Sequence, residues 1–101
     1  ANGYYRVSPT VIATASVKGD EVFAELITNL SESNIVNAPQ SVAMKIYGSC
    51  SLRQYTRWGM VFFSDQWKGG FPMMQFEADN INRRAERGGP IAAVFDKECA
   101  K

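Results

Sequence analysis

The stretch Ser41-Val42-Ala43-Met44-Lys45-Ile46-Tyr47-Gly48-Ser49-Cys50 decides how this chain is read. Val42, Met44, Ile46, Gly48 and Cys50 fall on one side of an extended backbone, and Leu52 continues the row. Ser41, Ala43, Lys45, Tyr47, Ser49 and Ser51 fall on the other. Successive side chains of a strand point to opposite faces. The pattern therefore predicts a half-buried strand over residues 41–52, with an apolar inner face and a solvated outer one. Cys50 then points inward.

Strand signals continue on both sides of it. Residues 54–64 carry Tyr55, Trp58, Val61, Phe62 and Phe63, which favour a second strand. Residues 65–70 contain Gly69-Gly70 and read as a hairpin turn. Residues 71–78 return, with Phe71 and Met73 on one side and Met74 and Phe76 on the other; Asp79-Asn80 marks the next turn. Upstream, Val11, Ala13, Ala15 and Val17 alternate with Ile12, Thr14 and Ser16, and Gly19-Asp20 follows as a turn. Val22, Ala24, Leu26, Thr28 and Leu30 then form the cleaner apolar face of residues 22–30. A helix competes there, because Ala24, Glu25 and Leu26 are helix formers. The hairpin framed by Val17 and Asp20 favours a strand. Tyr5 and Val7 suit a short edge strand, and the polar residues 31–40 suit a loop. Asn29-Leu30-Ser31 fits the N-glycosylation pattern, but three residues of this kind recur by chance.

The end of the chain changes period. Residues 81–87 hold Arg83, Arg84 and Arg87 and favour neither helix nor strand. Gly88-Gly89-Pro90 breaks the chain and starts a helix, since proline suits a first helical turn. Ile91, Phe95 and Cys99 make one stripe, flanked by Ala92 and Val94, with Ala93, Asp96 and Lys97 opposite. So short a helix is marginal alone and needs a docking partner. Strands followed by a helix predict an α+β domain. An antiparallel sheet of five or six strands would carry a C-terminal helix on one face.

Composition narrows the function. At 101 residues the chain reads as one exported domain, residues 1–101. Its net charge of +1 gives no long-range attraction to nucleic acid or anionic lipid. No apolar run approaches the roughly 20 residues that span a bilayer. With no histidine, the usual neutral-pH base and the commonest metal ligand are missing, so neither an enzyme nor a metal site or cofactor is expected. Asp20-Glu21, Glu77 with Asp79, and Asp96 with Glu98 are neighbouring carboxylates that read as turn or solvated-face residues. Cys50 and Cys99 have two readings, a reactive thiol or a structural disulfide. Apolar surroundings make a thiol inert and favour the second. Arg53, Tyr55, Arg57, Trp58, Trp67, Arg83, Arg84 and Arg87 mix arginine with aromatics. Such a set suits a protein interface better than nucleic acid in a near-neutral chain. Trp67, in the turn, either folds back onto the sheet or contacts a partner.

Residues 41–50, Tyr55, Phe62-Phe63-Ser64, the Gly69-Gly70 turn and a closing helix ending in Cys99 together resemble the surface-adhesin protein E family over residues 41–100. The resemblance implies a sheet of about six antiparallel strands, with the helix held by a Cys50–Cys99 bond. It also implies export to the periplasm or cell surface of a bacterium, and a binding role toward a host or envelope protein. Ala1, where a lipid-anchored member would have cysteine, reads against an N-terminal lipid anchor. The alternative expectation is an inhibitor or immunity-type protein that blocks an enzyme or secreted toxin. Self-association as a homodimer is a further expectation.

Overall fold

The computed structural model describes residues 3–30 and 37–100. Seven strands and one helix follow in order: β1 (Tyr5–Ser8), β2 (Val11–Lys18), β3 (Glu21–Asn29), β4 (Ser41–Ser49), β5 (Gln54–Asp65), β6 (Gly69–Glu77), β7 (Arg83–Arg84) and α1 (Pro90–Cys99). The first six pair antiparallel with their chain neighbours, so sheet order is chain order, and β7 pairs the beginning of β5. The α+β architecture is the one expected. The extra strand comes from the segment whose conformation the residues left open: Arg83 pairs with Tyr55 and Arg84 with Gln54. Of residues 22–30, all but Leu30 resolve as strand, because Leu26 is paired on both sides, with Ala13 and with Met44.

The helix begins where the backbone requires glycine, at Gly88 with φ 83°, followed by Gly89 as N-cap and Pro90 in the first turn. It lies over β1, β2 and β3. Ile91, Ala92, Val94 and Phe95 descend into a core with Val11, Ala13, Val22, Ala24, Leu26 and Ile46. Cys50 and Cys99 are bonded across 49 residues with Cα atoms 5.6 Å apart, which ties the last turn of the helix to the end of β4.

Three expectations are corrected. The strand of residues 41–52 stops at Ser49. There the chain turns around Asp20, whose carboxylate accepts from the Ser49 hydroxyl, from the Ser51 amide at 2.8 Å and from the Ser51 hydroxyl at 3.0 Å. Leu52 is consequently 62% exposed, off the core row it was assigned to. The outer face of β4 is not solvated throughout, for Ser41 and Ala43 are buried on it. The β5–β6 tip folds back over this end. The Ser41 hydroxyl donates to the Asp65 carbonyl at 2.7 Å and accepts from the Lys68 amide at 3.0 Å. The Trp67 amide donates to Asn29 Oδ1 at 2.8 Å. Finally, Gly69 and Gly70 open β6, while the turn itself puts Trp67 and Lys68 at positive φ. The loop expected over residues 31–40 lies partly outside the described residues.

Candidate functional site

Five of the eight arginine and aromatic candidates meet in one place. Arg53, Tyr55, Arg83, Arg84 and Arg87 line a cleft of about 940 Å³ between the start of β5, β7 and the beginning of α1. Arg53 lies 2.9 Å from Asp96 of the helix and over the Phe95 ring at 5.8 Å. Arg83 and Arg57 share Asp79, at 2.7 and 2.9 Å. Hydrogen bonds from Arg83 first, and from the Ile81 amide, hold the Asp79 carboxyl well below the usual carboxylate range; the same pairing raises Arg83. Among the described residues, no ion pair reaches Arg84 or Arg87. The helix end that borders the cleft has no side-chain cap and no acidic residue in its first turn.

The remaining candidates lie elsewhere. Arg57 stands behind the cleft on Asp79, with its Nε buried and unbonded among the described residues. Trp58 is 49% exposed at the bulge where Gly59 pairs with Lys45 and Arg57 with Ile46, and Lys45 Nζ sits 5.4 Å from its ring. Lys45 and Trp58 line a shallow outer groove with Glu25 and Lys68. There Lys68 bonds Glu25 at 3.1 Å and the Tyr4 hydroxyl donates to the same carboxylate. Burial would raise Glu25, but those donors outweigh it and leave its carboxyl lowered. Trp67 folds back at the far end of the sheet, beneath the Arg6 guanidinium at 5.6 Å. The arginine-aromatic set is therefore not one surface.

A second surface escaped the sequence reading. The helix covers the inner face over β1–β3 and, through Phe95 and the Cys50–Cys99 bond, the Ile46–Cys50 end of β4. On the other half of that face Met44 pairs with Met60 and Val42 with Phe62. Met60 in turn pairs with Phe76, and Phe62 with Met74. The residues of each pair share a face, so six apolar side chains form one continuous patch. Phe62 and Phe76 pack edge to face at 5.9 Å. Met74 and Phe76 remain 47% and 46% exposed. The pairing of Met74 and Phe76 on one side of their strand was visible in the chain. The register that sets it beside Met60 and Phe62, and the helix position that leaves it bare, were not.

Comparison with solved structures shows that the chain shares its fold with protein E of Haemophilus influenzae. Crystal form II of that protein gives a TM-score of 0.77 at 14% identity, over 99% of this chain and 89% of that one. Another structure of Haemophilus influenzae protein E gives 0.75 at 14% identity, over 99% and 86%. Protein E from non-typeable Haemophilus influenzae gives 0.74 at 14% identity, over 99% and 77%. The likeness thus reaches beyond residues 41–100 to take in β1, β2 and β3 as well. No protein-family model matches the chain, and no curated protein matches it in sequence.

Proposed function

We propose that this chain is a non-enzymatic exported domain that binds a protein partner, and that the half-sheet of Val42, Met44, Met60, Phe62, Met74 and Phe76 is the surface that docks it. The observation that carries the reading is that Met74 and Phe76 are nearly half exposed at the edge of this patch, beside the partly buried Val42, Met44, Met60 and Phe62 and away from the helix. Contiguous apolar surface of this kind is costly to leave in water and commonly marks an interaction site. Methionine and phenylalanine are enriched at such sites, and methionine's flexible thioether adapts to a partner's shape. The Cys50–Cys99 bond fits an oxidising compartment, hence export. The fold shared with protein E and the sequence resemblance to surface-adhesin proteins support a binding role.

The test is capture of partners on immobilised protein, from host serum and matrix on one side and from bacterial envelope extract on the other. Wild type is compared with Phe76→Lys and Met74→Lys. Retention of a host protein that both substitutions abolish is the expected result. Retention of a bacterial enzyme alone, with loss of that enzyme's activity, would assign the inhibitor role instead. Equal capture by the variants would remove the patch from the account. Sedimentation of the isolated protein reads self-association separately, since a homodimer through this face would dissociate in the same variants.

A further inference from the structure

We propose that the arginine-lined cleft at the start of α1 is a second binding site, for an acidic polypeptide segment. The inference rests on the reading that the chain binds proteins, but concerns a different face of the molecule. At about 940 Å³ the cleft is within the size of ligand-binding cavities. Arg53, Arg83, Arg84 and Arg87 line it with Glu86 and Asp96, and with Asp79 behind Arg83 the four guanidinium groups face three carboxylates, which leaves one positive charge in surplus. Arg53 is committed to Asp96 and Arg83 to Asp79. Arg84 and Arg87 have no ion pair among the described residues, so the surplus resides on two side chains whose forked donors match carboxylates.

The backbone adds to this. Ile91 and Ala92, in the first turn of α1, line the same cleft. Helix-start amides lack helical acceptors, and the helix dipole favours an anion beside them. In this helix no side-chain cap and no first-turn acid occupies that position. The dipole of α1 therefore adds to the positive potential of the cleft that Arg84 and Arg87 line.

A polypeptide fits better than a nucleic acid. The whole chain carries a net charge of only +1, so no basic field extends beyond the cleft to follow a phosphate backbone. Tyr55, the aromatic residue of the lining, packs against the hydrophobic core and is not free to stack on a base. Among the described residues β7 pairs with β5 alone, which leaves Arg83–Arg84 a strand with one unpaired side that an extended peptide can follow.

The test is fluorescence polarisation with a fluorescein-labelled oligo-glutamate peptide. It compares wild type, Arg84→Glu/Arg87→Glu, the milder Arg84→Gln/Arg87→Gln, and Phe76→Lys. Wild type is expected to bind saturably and more weakly as salt is raised. The charge-reversed variant should lose at least about tenfold in affinity, and the glutamine variant an intermediate amount. Neither arginine makes an ion pair among the described residues, so circular dichroism should stay unchanged in both. Phe76→Lys should bind the peptide like wild type, which separates this site from the apolar patch: either can fail while the other holds. Absence of saturable binding by wild type overturns the proposal. So does equal binding by Arg84→Glu/Arg87→Glu, or tighter binding of a labelled single-stranded DNA of equal charge.

Discussion

The ring of Phe95 rests on Gly48. A Cβ built on Gly48 would lie 3.0 Å from the tip of that ring and 2.4 Å from the carbonyl oxygen of Gln54. The first contact could be relieved by a shift of the helix. The second involves backbone in the β4–β5 ladder, where Ser49 pairs with Gln54 and Gly48 with Tyr55. Gly48 is needed for space, not for its dihedral freedom. Gly48→Ala is expected to destabilise the domain by about 2–3 kcal/mol, read from the urea midpoint at unchanged slope. A change below roughly half a kcal/mol would mean that the β4–β5 backbones do not pack at Gly48 as closely as described.

The same helix is held covalently at its other end. Closing a loop of about 50 residues is worth roughly 4 kcal/mol in the chain-entropy account. Cys50→Ser/Cys99→Ser, or reduction of the wild type, should lower stability by about 3–4 kcal/mol. Amide exchange should rise first in the last turn of α1, because a helix this short has little stability of its own. An unchanged urea midpoint on reduction would show that apolar contacts suffice to dock it.

Ser41 joins the tip of the β5–β6 hairpin to the sheet through two hydrogen bonds, to the Asp65 carbonyl and from the Lys68 amide. Ser41→Ala leaves the Lys68 amide without that acceptor in a site from which solvent is excluded. The expected cost is about 1–2 kcal/mol. The readout specific to this contact is tryptophan emission. Trp67 is held over the sheet by Asn29 and Arg6, so in a Trp58→Phe background loosening the tip should shift its emission to the red.

Stability should fall at both extremes of pH, for opposite reasons. Asp79 and Glu25 have folded values below their ordinary ones, so they favour the folded state above the unfolded carboxylate range near pH 4. That contribution is lost as pH falls from about 4 through the lower folded values. Tyr4 and Tyr5 behave in the reverse sense. Burial first, then Glu25 beside Tyr4 and Glu98 beside Tyr5, push both hydroxyls up to about 12. Their contribution is complete below the unfolded value near 10 and disappears as pH rises through about 12. Urea midpoints across pH should show both limbs. Asp79→Asn should flatten the acid limb, and Tyr4→Phe with Tyr5→Phe the alkaline one; limbs unchanged in these variants would assign the titration to other groups.

Much of the fold was legible because its signals are local. Alternation in residues 11–17, 22–30 and 41–49 marked strands whose inner faces the structure buries, as Ala13, Leu26 and Ile46 show. Gly88-Gly89-Pro90 marked the helix start to the residue, and the spacing of Ile91, Phe95 and Cys99 marked its buried stripe. Period and turn chemistry are properties of neighbouring residues, so they can be read from the chain alone.

What only the tertiary structure decided is cover. Alternation assigns residues to faces but does not say what lies over a face. Ser41 is buried because a distant hairpin tip folds onto it. Leu52 is exposed because the backbone turns around Asp20 just before it. Arg53 and Arg87 meet across one cleft, while Trp58 and Trp67 belong to other surfaces, because the helix returns to the beginning of β5. Met74 and Phe76, paired with Phe62 and Met60, stay exposed because that helix packs on β1–β3 and does not reach β6. The sequence by itself determined which side chains share a face. The packing of one short helix on one half of a wider sheet decided which of those faces remain available to bind.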